Sequence, residues 1–448
     1  MVRRRDILLY LPLAVCALAG LEGCAAQPQR RPPAPSAAPV QATPRPAATS
    51  GAAPVPAGTA PPPTAVPSPT AVAAAARAGA KPNFLSTSAS KLVDAEGKEV
   101  RLTGINWFGF ETETLAPHGL WSRNWQDMLD QIVALGYNTI RLPFSNHLLD
   151  PGAKPVGGID YNANPDLQDF TGLEIMDKIV VGAGKRGLKI ILDRHRPDSG
   201  AQSELWYTGA VSEERWLADW RLLAERYVGN DTVVGADLHN EPHGQATWGS
   251  GDPKTDWRLA AERAGNAIHE VNPDWLIVVE GVERNGDDWY WWGGNLQGVA
   301  ENPVRLAVPN KVVYSPHDYG PGVSGQSWFS APDFPRNLAG VWESHWGYIF
   351  AQGLAPVLLG EFGGRSVSGG DKEGIWQQTL FAYLRENRLS YTYWCLNPNS
   401  GDTGGILADD WQTVNADKQA LLARDQAPRL AVNDPDRVNR DARPVARK

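Results

Sequence analysis

Val233-Val234-Gly235-Ala236-Asp237-Leu238-His239-Asn240-Glu241-Pro242 is an apolar, partly β-branched run that ends in a polar cluster. Pro242 has no backbone N–H and cannot continue a central strand, so the run predicts a strand with Glu241 at its carboxyl end. In a parallel sheet or barrel, ligands bind and reactions occur at that end of the strands. Glu241 is therefore the first candidate functional residue.

A second run of the same kind covers residues 356–364, Pro-Val-Leu-Leu-Gly-Glu-Phe-Gly-Gly, and delivers Glu361 at the end of its apolar part. Two carboxylates on different strands of one barrel mouth are the minimal equipment for cleaving a glycosidic bond. In a retaining mechanism one carboxyl is protonated and acts as acid and then as base. The other is ionised and attacks the anomeric carbon, and the two lie ~5–5.5 Å apart.

Strand-like and helix-like runs alternate between residues 81 and 424, after a short β lead-in at 84–100. Eight strands are predicted, at residues 101–107, 139–144, 189–195, 233–241, 276–280, 311–317, 356–361 and 390–395. Each has room for a crossover helix, which fits an α/β fold of the (β/α)8 TIM-barrel type. An open doubly wound sheet is the alternative, but no glycine-rich dinucleotide-binding turn follows the first strand.

The two ends of the chain differ from this central domain. Residues 1–26 combine three arginines with an apolar stretch and predict a signal peptide, hence a secreted or cell-envelope protein. Cys24 lies where a bacterial lipoprotein is acylated, although Glu22 departs from the usual small or apolar residue, so membrane attachment and free secretion both stay open. The Ala/Pro-rich segment 27–80 predicts a disordered linker, and 425–448 predicts a disordered, solvated tail.

The composition indicates which class of ligand the protein binds. The formal charge of −8 argues against a nucleic-acid partner, which requires a basic face. Trp (18) outnumbers Tyr (12) and Phe (10), and a groove of indoles that stack on sugar rings would account for that excess. The third cysteine, Cys395, follows Trp394 in an apolar strand and is interpreted as an inert core residue.

Polar and aromatic side chains collect at the predicted strand ends. The set is Arg141, Asp193, His195, Asn240, Glu241, Glu280, His317, Tyr319, Glu361 and Trp394. Arg141 beside one carboxylate would keep that group ionised, and a drier environment would raise the pKa of the other. Asn240 could bond the sugar 2-hydroxyl, a contact that strengthens in the transition state, and Trp394 would form the floor beneath the reacting sugar.

Five motifs carry a family resemblance. They are 238–243 (Leu-His-Asn-Glu-Pro-His), 192–197 (Leu-Asp-Arg-His-Arg-Pro), 359–363 (Leu-Gly-Glu-Phe-Gly), 104–109 (Gly-Ile-Asn-Trp-Phe-Gly) and 400–406 (Ser-Gly-Asp-Thr-Gly-Gly-Ile). With them the sequence resembles glycoside hydrolase family 5, the cellulase family, and in particular its bacterial endo-β-1,4-glucanases. The resemblance runs from about residue 84 to 420.

The resemblance implies a retaining endo-β-1,4-glucanase that needs no cofactor and no metal. Glu241 would be its acid/base and Glu361 its nucleophile. The resemblance also implies Arg141 and Tyr319 beside the nucleophile and His317 near the acid/base. It implies that His195 and Asn240 line the subsite together with Trp394. A β-glucan is the expected substrate and a monomer the expected state, while other β-glycans of the same family, such as mannan, xyloglucan and mixed-linkage glucan, stay open as substrates.

Further tryptophans are candidate sugar platforms. They are Trp107 at the end of the first strand and, in the predicted barrel-top loops, Trp206, Trp248, Trp289, Trp291 and Trp292. Two rival interpretations accompany the hydrolase. One is a metal-dependent hydrolase whose ligands would come from Asp193, His195, His239, Glu241 and His243, although Pro242 breaks the helix that a His-Glu-x-x-His site needs. The other is a catalytically inactive barrel that only binds glycans.

Overall fold

A computed structural model of the chain describes residues 82–444. The predicted signal peptide with Cys24 lies outside the described residues, and so does the predicted linker at 27–80. Within the part of the chain that is described, no helix is both long and apolar enough to cross a bilayer.

The described residues form thirteen strands. They are β1 (Ser86–Ser88), β2 (Lys91–Val93), β3 (Glu99–Val100), β4 (Thr103–Asn106), β5 (Thr139–Ser145), β6 (Lys189–Arg196), β7 (Val233–Asp237), β8 (Leu276–Val279), β9 (Arg284–Asn285), β10 (Asp288–Trp289), β11 (Val312–Tyr314), β12 (Leu358–Leu359) and β13 (Ser390–Tyr393). The eight predicted strands are all present, and several are shorter than predicted because their polar carboxyl ends leave the ladder.

Eight of these strands form a closed parallel barrel. Their order is β11-β8-β7-β6-β5-β4-β13-β12, and every neighbouring pair is parallel. Parallel bridges between Tyr314 and Val357 and between His317 and Glu361 join β11 to β12 and close the ring. The predicted (β/α)8 barrel is therefore confirmed, and the open sheet is excluded.

The lead-in strands β1–β3 form an antiparallel sheet that closes the amino-terminal end of the barrel. Leu85 and Leu92 of this segment pack with Ile191, Val234 and other residues that point into the barrel, while neighbouring strand residues join the outer core under the helices. This alternation is the period of two expected of a strand with both faces buried. The lead-in thus leaves only the opposite end of the barrel open.

Helices surround the barrel. They are α1 (Trp125–Ala134), α2 (Gly172–Lys185), α3 (Glu213–Arg226), α4 (Trp257–His269), α5 (Leu338–Trp342), α6 (Tyr348–Ala351), α7 (Lys372–Glu386) and α8 (Ala416–Leu422). Local sequence explains their ends: Ser212 caps α3 by accepting from the backbone N–H of Arg215, and Gly136 (φ +92°) follows α1. The connection between β11 and β12 is not one continuous helix, because a π-helical turn, Glu343–Gly347, separates α5 from α6.

The prediction of a disordered tail from residue 425 is wrong for the described residues up to 444. Val432 is 1% exposed, and Asp425 forms an ion pair with the half-buried Arg101. The buried side chain of Arg226 donates to the carbonyl oxygen of Ala442, and that of Asn230 donates to the carbonyl oxygen of Pro435. The tail is ordered because buried donors on the barrel use its backbone as acceptor, which a count of charged residues does not reveal.

Candidate active site

The predicted site residues converge at the carboxyl end of the barrel. Arg141 lies within β5 and His195 within β6, and the others follow their strands within a few residues: Asn240 and Glu241 after β7, His317 and Tyr319 after β11, Glu361 after β12 and Trp394 after β13. The strand order brings these residues around one cleft. Its volume is about 480 Å³, and its lining includes Glu241, Glu361 and Trp394.

Glu361 is held by two donors. The Nη1 of Arg141 lies 2.5 Å from its Oε1, and the hydroxyl of Tyr319 donates to its Oε2 at 2.6 Å. The residue is 3% exposed, so little water competes for these bonds. A carboxylate with both oxygens engaged by donors is fixed in position and oriented toward the cleft.

Arg141 is itself fixed by buried carboxylates. Its guanidinium lies 3.1 Å from Asp193, 2.8 Å from Asp237 and 3.0 Å from Glu280. It also donates to Oδ1 of Asn240 at 2.9 Å. Among the described residues nothing accepts from the buried Nδ2 of Asn240, so this amide can donate to a ligand hydroxyl. Its role toward the sugar 2-hydroxyl stays a prediction.

Glu241 has an unusual backbone. Its φ is +53°, in the left-handed region that side chains other than glycine rarely adopt. Its backbone N–H donates to Oε2 of Glu280 at 2.7 Å, and its Oε1 lies 3.0 Å from Nδ1 of His317. Strain of this kind persists only where surrounding contacts impose it, and it concentrates at functional sites. Gly293 permits the arrangement, since a Cβ there would lie 2.2 Å from Glu280.

The charges around Glu241 depart from the sequence-based expectation. Burial alone would lower the pKa of His317, but Glu280 and Glu361 together with the bond to Glu241 raise it well above its usual value. Burial would likewise raise the pKa of Glu241, but the hydrogen bond and the charge of His317 outweigh burial and lower it. The raised pKa expected for the acid/base is therefore not found in this structure. The resemblance placed His317 near Glu241, but it did not indicate that the surrounding carboxylates would favour the charged form of that histidine.

His195 is the neutral histidine of the site. Burial lowers its pKa to about 3, and its Nδ1 lies 2.6 Å from Oδ2 of Asp193. Its ring stacks on Trp394 with centroids 5.5 Å apart and planes at 6°. The stacked pair places the indole of Trp394 in the cleft lining, where a floor beneath a sugar ring is expected.

The other predicted sugar platforms divide into two groups. Trp291 and Trp292 line the cleft, and the buried Nε1 of Trp291 has no acceptor among the described residues. The predicted role is wrong for Trp107, Trp206 and Trp248, which do not line the cleft. Trp107 and Trp206 are fully buried and Trp248 is 8% exposed, with their Nε1–H groups donating to His118, Glu213 and Asn302.

Trp289 is 54% exposed and packs against the guanidinium of Arg284 outside the cleft lining. An abundance of tryptophan thus indicates mostly core packing here. Cys395 is buried and free, and burial raises its pKa, as expected of an inert core thiol.

The structure does not bring together the five ligands that the metal-dependent alternative requires. His239 Nδ1 lies 2.8 Å from Arg194, and His243 stacks on Trp292 with its Nδ1 near the backbone oxygen of Glu241. The described acidic and histidine side chains that do approach one another include neither of these histidines. The carboxylates of Asp193, Asp237 and Glu280 instead share the cation of Arg141, which a metal ion would have to displace.

Comparisons with known proteins agree with this geometry. The family model for cellulase (glycosyl hydrolase family 5) matches residues 93–400. The chain belongs to this family. The hydrolase is 58% identical over 360 residues to an endoglucanase of Paenibacillus polymyxa, a match that covers 80% of this chain and 90% of the relative.

Two further matches cover a similar share of the chain. The major extracellular endoglucanase of Xanthomonas campestris pv. campestris is 46% identical, with 77% of the hydrolase and 72% of the relative covered. A solved cellotetraose complex of an endocellulase from Pyrococcus horikoshii is 44% identical, with a TM-score of 0.73, and covers 77% of the hydrolase and 98% of that chain. The predicted family and barrel are both confirmed.

Sequence reasoning underestimated part of the site of this hydrolase. Glu280 stood among the strand-end residues without a role, yet it contacts Arg141, His317 and the backbone of Glu241. Six cleft-lining residues were not singled out at all: Gln202, Glu283, Tyr290, Val323, Ser324 and Gln326. They lie in loops with no strand-end signal, and only their position after a barrel strand could have indicated them.

Proposed function

We propose that this hydrolase is an endo-β-1,4-glucanase that cleaves internal bonds of β-glucan with net retention of configuration. One observation carries the mechanism: carboxylate oxygens of Glu241 and Glu361 lie within 4.8 Å of each other. Retaining enzymes hold their two carboxyl groups ~5–5.5 Å apart, whereas inverting enzymes leave ~6.5–9.5 Å for a water. The names of the two bacterial relatives and the cellotetraose complex of the third support a glucan as substrate.

The first step joins Glu361 to the sugar. Its carboxylate, oriented by Arg141 and Tyr319, attacks the anomeric carbon and forms a covalent glycosyl-enzyme. Glu241 gives its proton to the leaving oxygen as that bond breaks. A sugar in the cleft removes water from Glu241 and disfavours its charged form, so substrate binding moves its pKa back toward the protonated acid.

The second step releases the product. Glu241, now ionised, takes a proton from water, whose oxygen attacks the anomeric carbon from the face that the leaving group has vacated. The bond between that carbon and Glu361 breaks, and Glu361 returns to its carboxylate form. His317 stabilises the Glu241 carboxylate in this step, since its charged ring lies 3.0 Å away. Two displacements at the same carbon give net retention.

Substrate class is tested by hydrolysis of a panel: carboxymethyl cellulose, mixed-linkage β-glucan, glucomannan, galactomannan and xyloglucan, with viscosity and reducing ends followed together. A fast fall in viscosity on carboxymethyl cellulose is expected. Preference for a mannan would overturn the substrate claim but keep both glutamates. The inactive barrel would be favoured if the rate on every polymer were no higher than that of a Glu241→Gln, Glu361→Gln double variant.

We also propose that the protein is exported. The arginines before the apolar stretch of residues 1–26 support a signal peptide, and one relative is named an extracellular enzyme. Cys24→Ser tests the acyl anchor: loss of membrane association supports lipidation of Cys24, and unchanged association or fully soluble parent protein contradicts it. The protein is expected to be a monomer, so light scattering should detect a single species of monomer mass.

A further inference from the structure

Asp318 is a buried carboxylate that the proposed mechanism leaves without a role. In the chain it lies between His317 and Tyr319, whose side chains contact the two catalytic glutamates. Its own side chain contacts residues of other barrel connections instead. Whatever fixes Asp318 also limits where these two neighbours can lie, because the planar peptide backbone joins them directly.

Aromatic donors hold the carboxylate of Asp318. The hydroxyl of Tyr290 donates to its Oδ2, and Nε1 of Trp376, on α7, donates to its Oδ1 at 2.9 Å. Trp342 of α5 is a further hydrogen-bond partner. Burial raises the pKa of Asp318 to about 7, although these donors favour the ionised form. The ionised group is therefore less stable here than in water, so a contribution to folding stability does not explain its presence.

The ring of Tyr290 is itself fixed by the π-helical turn, Glu343–Gly347. His345 of this turn stacks on the ring, with centroids 3.9 Å apart and planes at 12°. The next residue, Trp346, donates from Nε1 to the hydroxyl oxygen of Tyr290 at 3.4 Å. π-Helical turns often occur at functional sites. Here the turn brings two rings against Tyr290, so the tyrosine that reaches Asp318 does not turn away from it.

Tyr290 also belongs to the wall of the cleft. It lies in the connection after β8 and lines the cleft. The same connection passes close to the backbone of His317: a Cβ on Gly294 would lie 2.7 Å both from the carbonyl oxygen of His317 and from the ring of Tyr290. Only glycine permits this approach. The hydrogen bond between Tyr290 and Asp318 thus joins the cleft wall to the segment 317–319.

The backbone of Asp318 is bonded to the strand end that carries the nucleophile. Its N–H donates to the carbonyl oxygen of Glu361 at 3.1 Å, and His317 and Glu361 form a parallel bridge. On one side, the hydroxyl of Tyr319 donates to the Glu361 carboxylate at 2.6 Å. On the other side, His317 lies 3.0 Å from Glu241. Both side-chain contacts thus start from the short segment that Asp318 holds.

We propose that Asp318 is a positioning residue, which sets the places of His317 and Tyr319 relative to the two catalytic glutamates. The inference rests on the proposed function. A misplacement of about 1 Å in an active site can cost about 10²-fold in rate. The side chains of His317 and Tyr319 act on the groups that react and not on distant sugars, so their misplacement lowers kcat more than it raises KM.

Asp318→Asn tests this role through kcat and KM for cellotetraose. The amide keeps the size of the side chain but points a donor at one of the groups that now donate to it. We expect kcat about 10²-fold below that of the parent and KM little changed. Asp231→Asn is the matched control, since this buried carboxylate before β7 accepts from backbone N–H groups of the tail. It should lower the thermal midpoint without a change in kcat. An unchanged kcat in Asp318→Asn, or a loss confined to KM, would overturn the positioning role.

Tyr290→Phe keeps the role testable if Asp318→Asn does not fold. It removes one donor from Asp318 and keeps the ring, and kcat should fall about tenfold. Tyr137→Phe, which removes another buried tyrosine hydroxyl, before β5, is the control and should leave kcat unchanged. In a Tyr319→Phe background the loss from Tyr290→Phe should be smaller, because part of it passes through Tyr319. Equal fold losses in both backgrounds, or none in either, would overturn the role.

Crystal structures provide a readout that does not depend on turnover. The hydroxyl of Tyr319 lies 2.6 Å from Oε2 of Glu361, and this distance should lengthen in Tyr290→Phe. If the parent cleaves no β-glucan, the proposed function fails, and the distance decides the positioning role separately. A longer distance then supports the role, and an unchanged one overturns it.

Discussion

His317 lies against Glu241, with Nδ1 3.0 Å from the carboxylate oxygen Oε1. The other ring nitrogen faces Glu280 at 3.3 Å, and Glu361 lies 3.7 Å away. Three carboxylates around one buried imidazole explain why its pKa is raised despite burial. The protonation of the acid/base in the unliganded enzyme is thus controlled by its neighbour.

Replacement of His317 by asparagine should move the basic limb of the pH profile of kcat/KM to higher pH. The limb reports deprotonation of Glu241 in the free enzyme, and the hydrogen bond and charge of His317 lower that pKa against the opposing effect of burial. Without the cation, burial dominates and Glu241 holds its proton to higher pH. His243→Asn is the control, since His243 contacts Glu241 only through its backbone oxygen. An unmoved limb in His317→Asn would contradict this control of the acid.

Glu280→Gln should lower kcat/KM by about 10²-fold while the protein stays folded. All three partners of this carboxylate are donors: Arg141, His317 and the backbone N–H of Glu241. An amide offers one acceptor and adds two donors, so at least one contact becomes repulsive. Glu262→Gln, which removes a carboxylate of α4 that pairs with Arg258, is the matched control. Activity within twofold of the parent would remove Glu280 from its positioning role.

Trp206→Ala and Trp292→Ala should separate core from cleft tryptophans. Trp206 is fully buried against Trp216 and Trp257, so truncation should cost about 3–5 kcal/mol of unfolding free energy. Trp292 is 44% exposed in the cleft, so its loss should raise KM. The free energy of unfolding should change by no more than about 0.5 kcal/mol. Urea titration and initial rates measure both effects. A stable Trp206→Ala with raised KM would restore Trp206 as a sugar platform.

Deletion of residues 425–448 should destabilise the domain by at least about 2 kcal/mol without a change in KM. The deletion removes Asp425, the ion-pair partner of Arg101, and exposes the surface that the buried Val432 covers. It also leaves the buried Arg226 without one of its hydrogen-bond acceptors. Deletion of 445–448 alone, outside the described residues, is the control. Equal thermal midpoints for the two truncations would contradict a structural role for 425–444.

The sequence predicted those features that depend on periodic apolar patterns or on strong local signals. The strand runs that carry Arg141, Glu241 and Glu361 predicted the barrel and the position of its mouth, because apolar periodicity and Pro242 act locally. The family followed from five motifs, two of which contain Glu241 and Glu361.

Properties that depend on distant contacts were not predictable. The exposure of Trp206 depends on helix packing, and the tail is ordered by acceptors that Arg226 needs. The lowered pKa of Glu241 depends on a histidine 76 positions away. In each case the deciding partner lies far away in the chain, where no periodicity links the two residues.

The central claim is double displacement through Glu361 and Glu241, and proton NMR of the first products tests it most directly. Spectra are recorded within the first turnovers on cellotetraose, before mutarotation equilibrates the new reducing end. The β-anomer should appear first and the α-anomer only later, at the rate of spontaneous mutarotation. An α-anomer that appears first would contradict retention, and with it the roles of both glutamates.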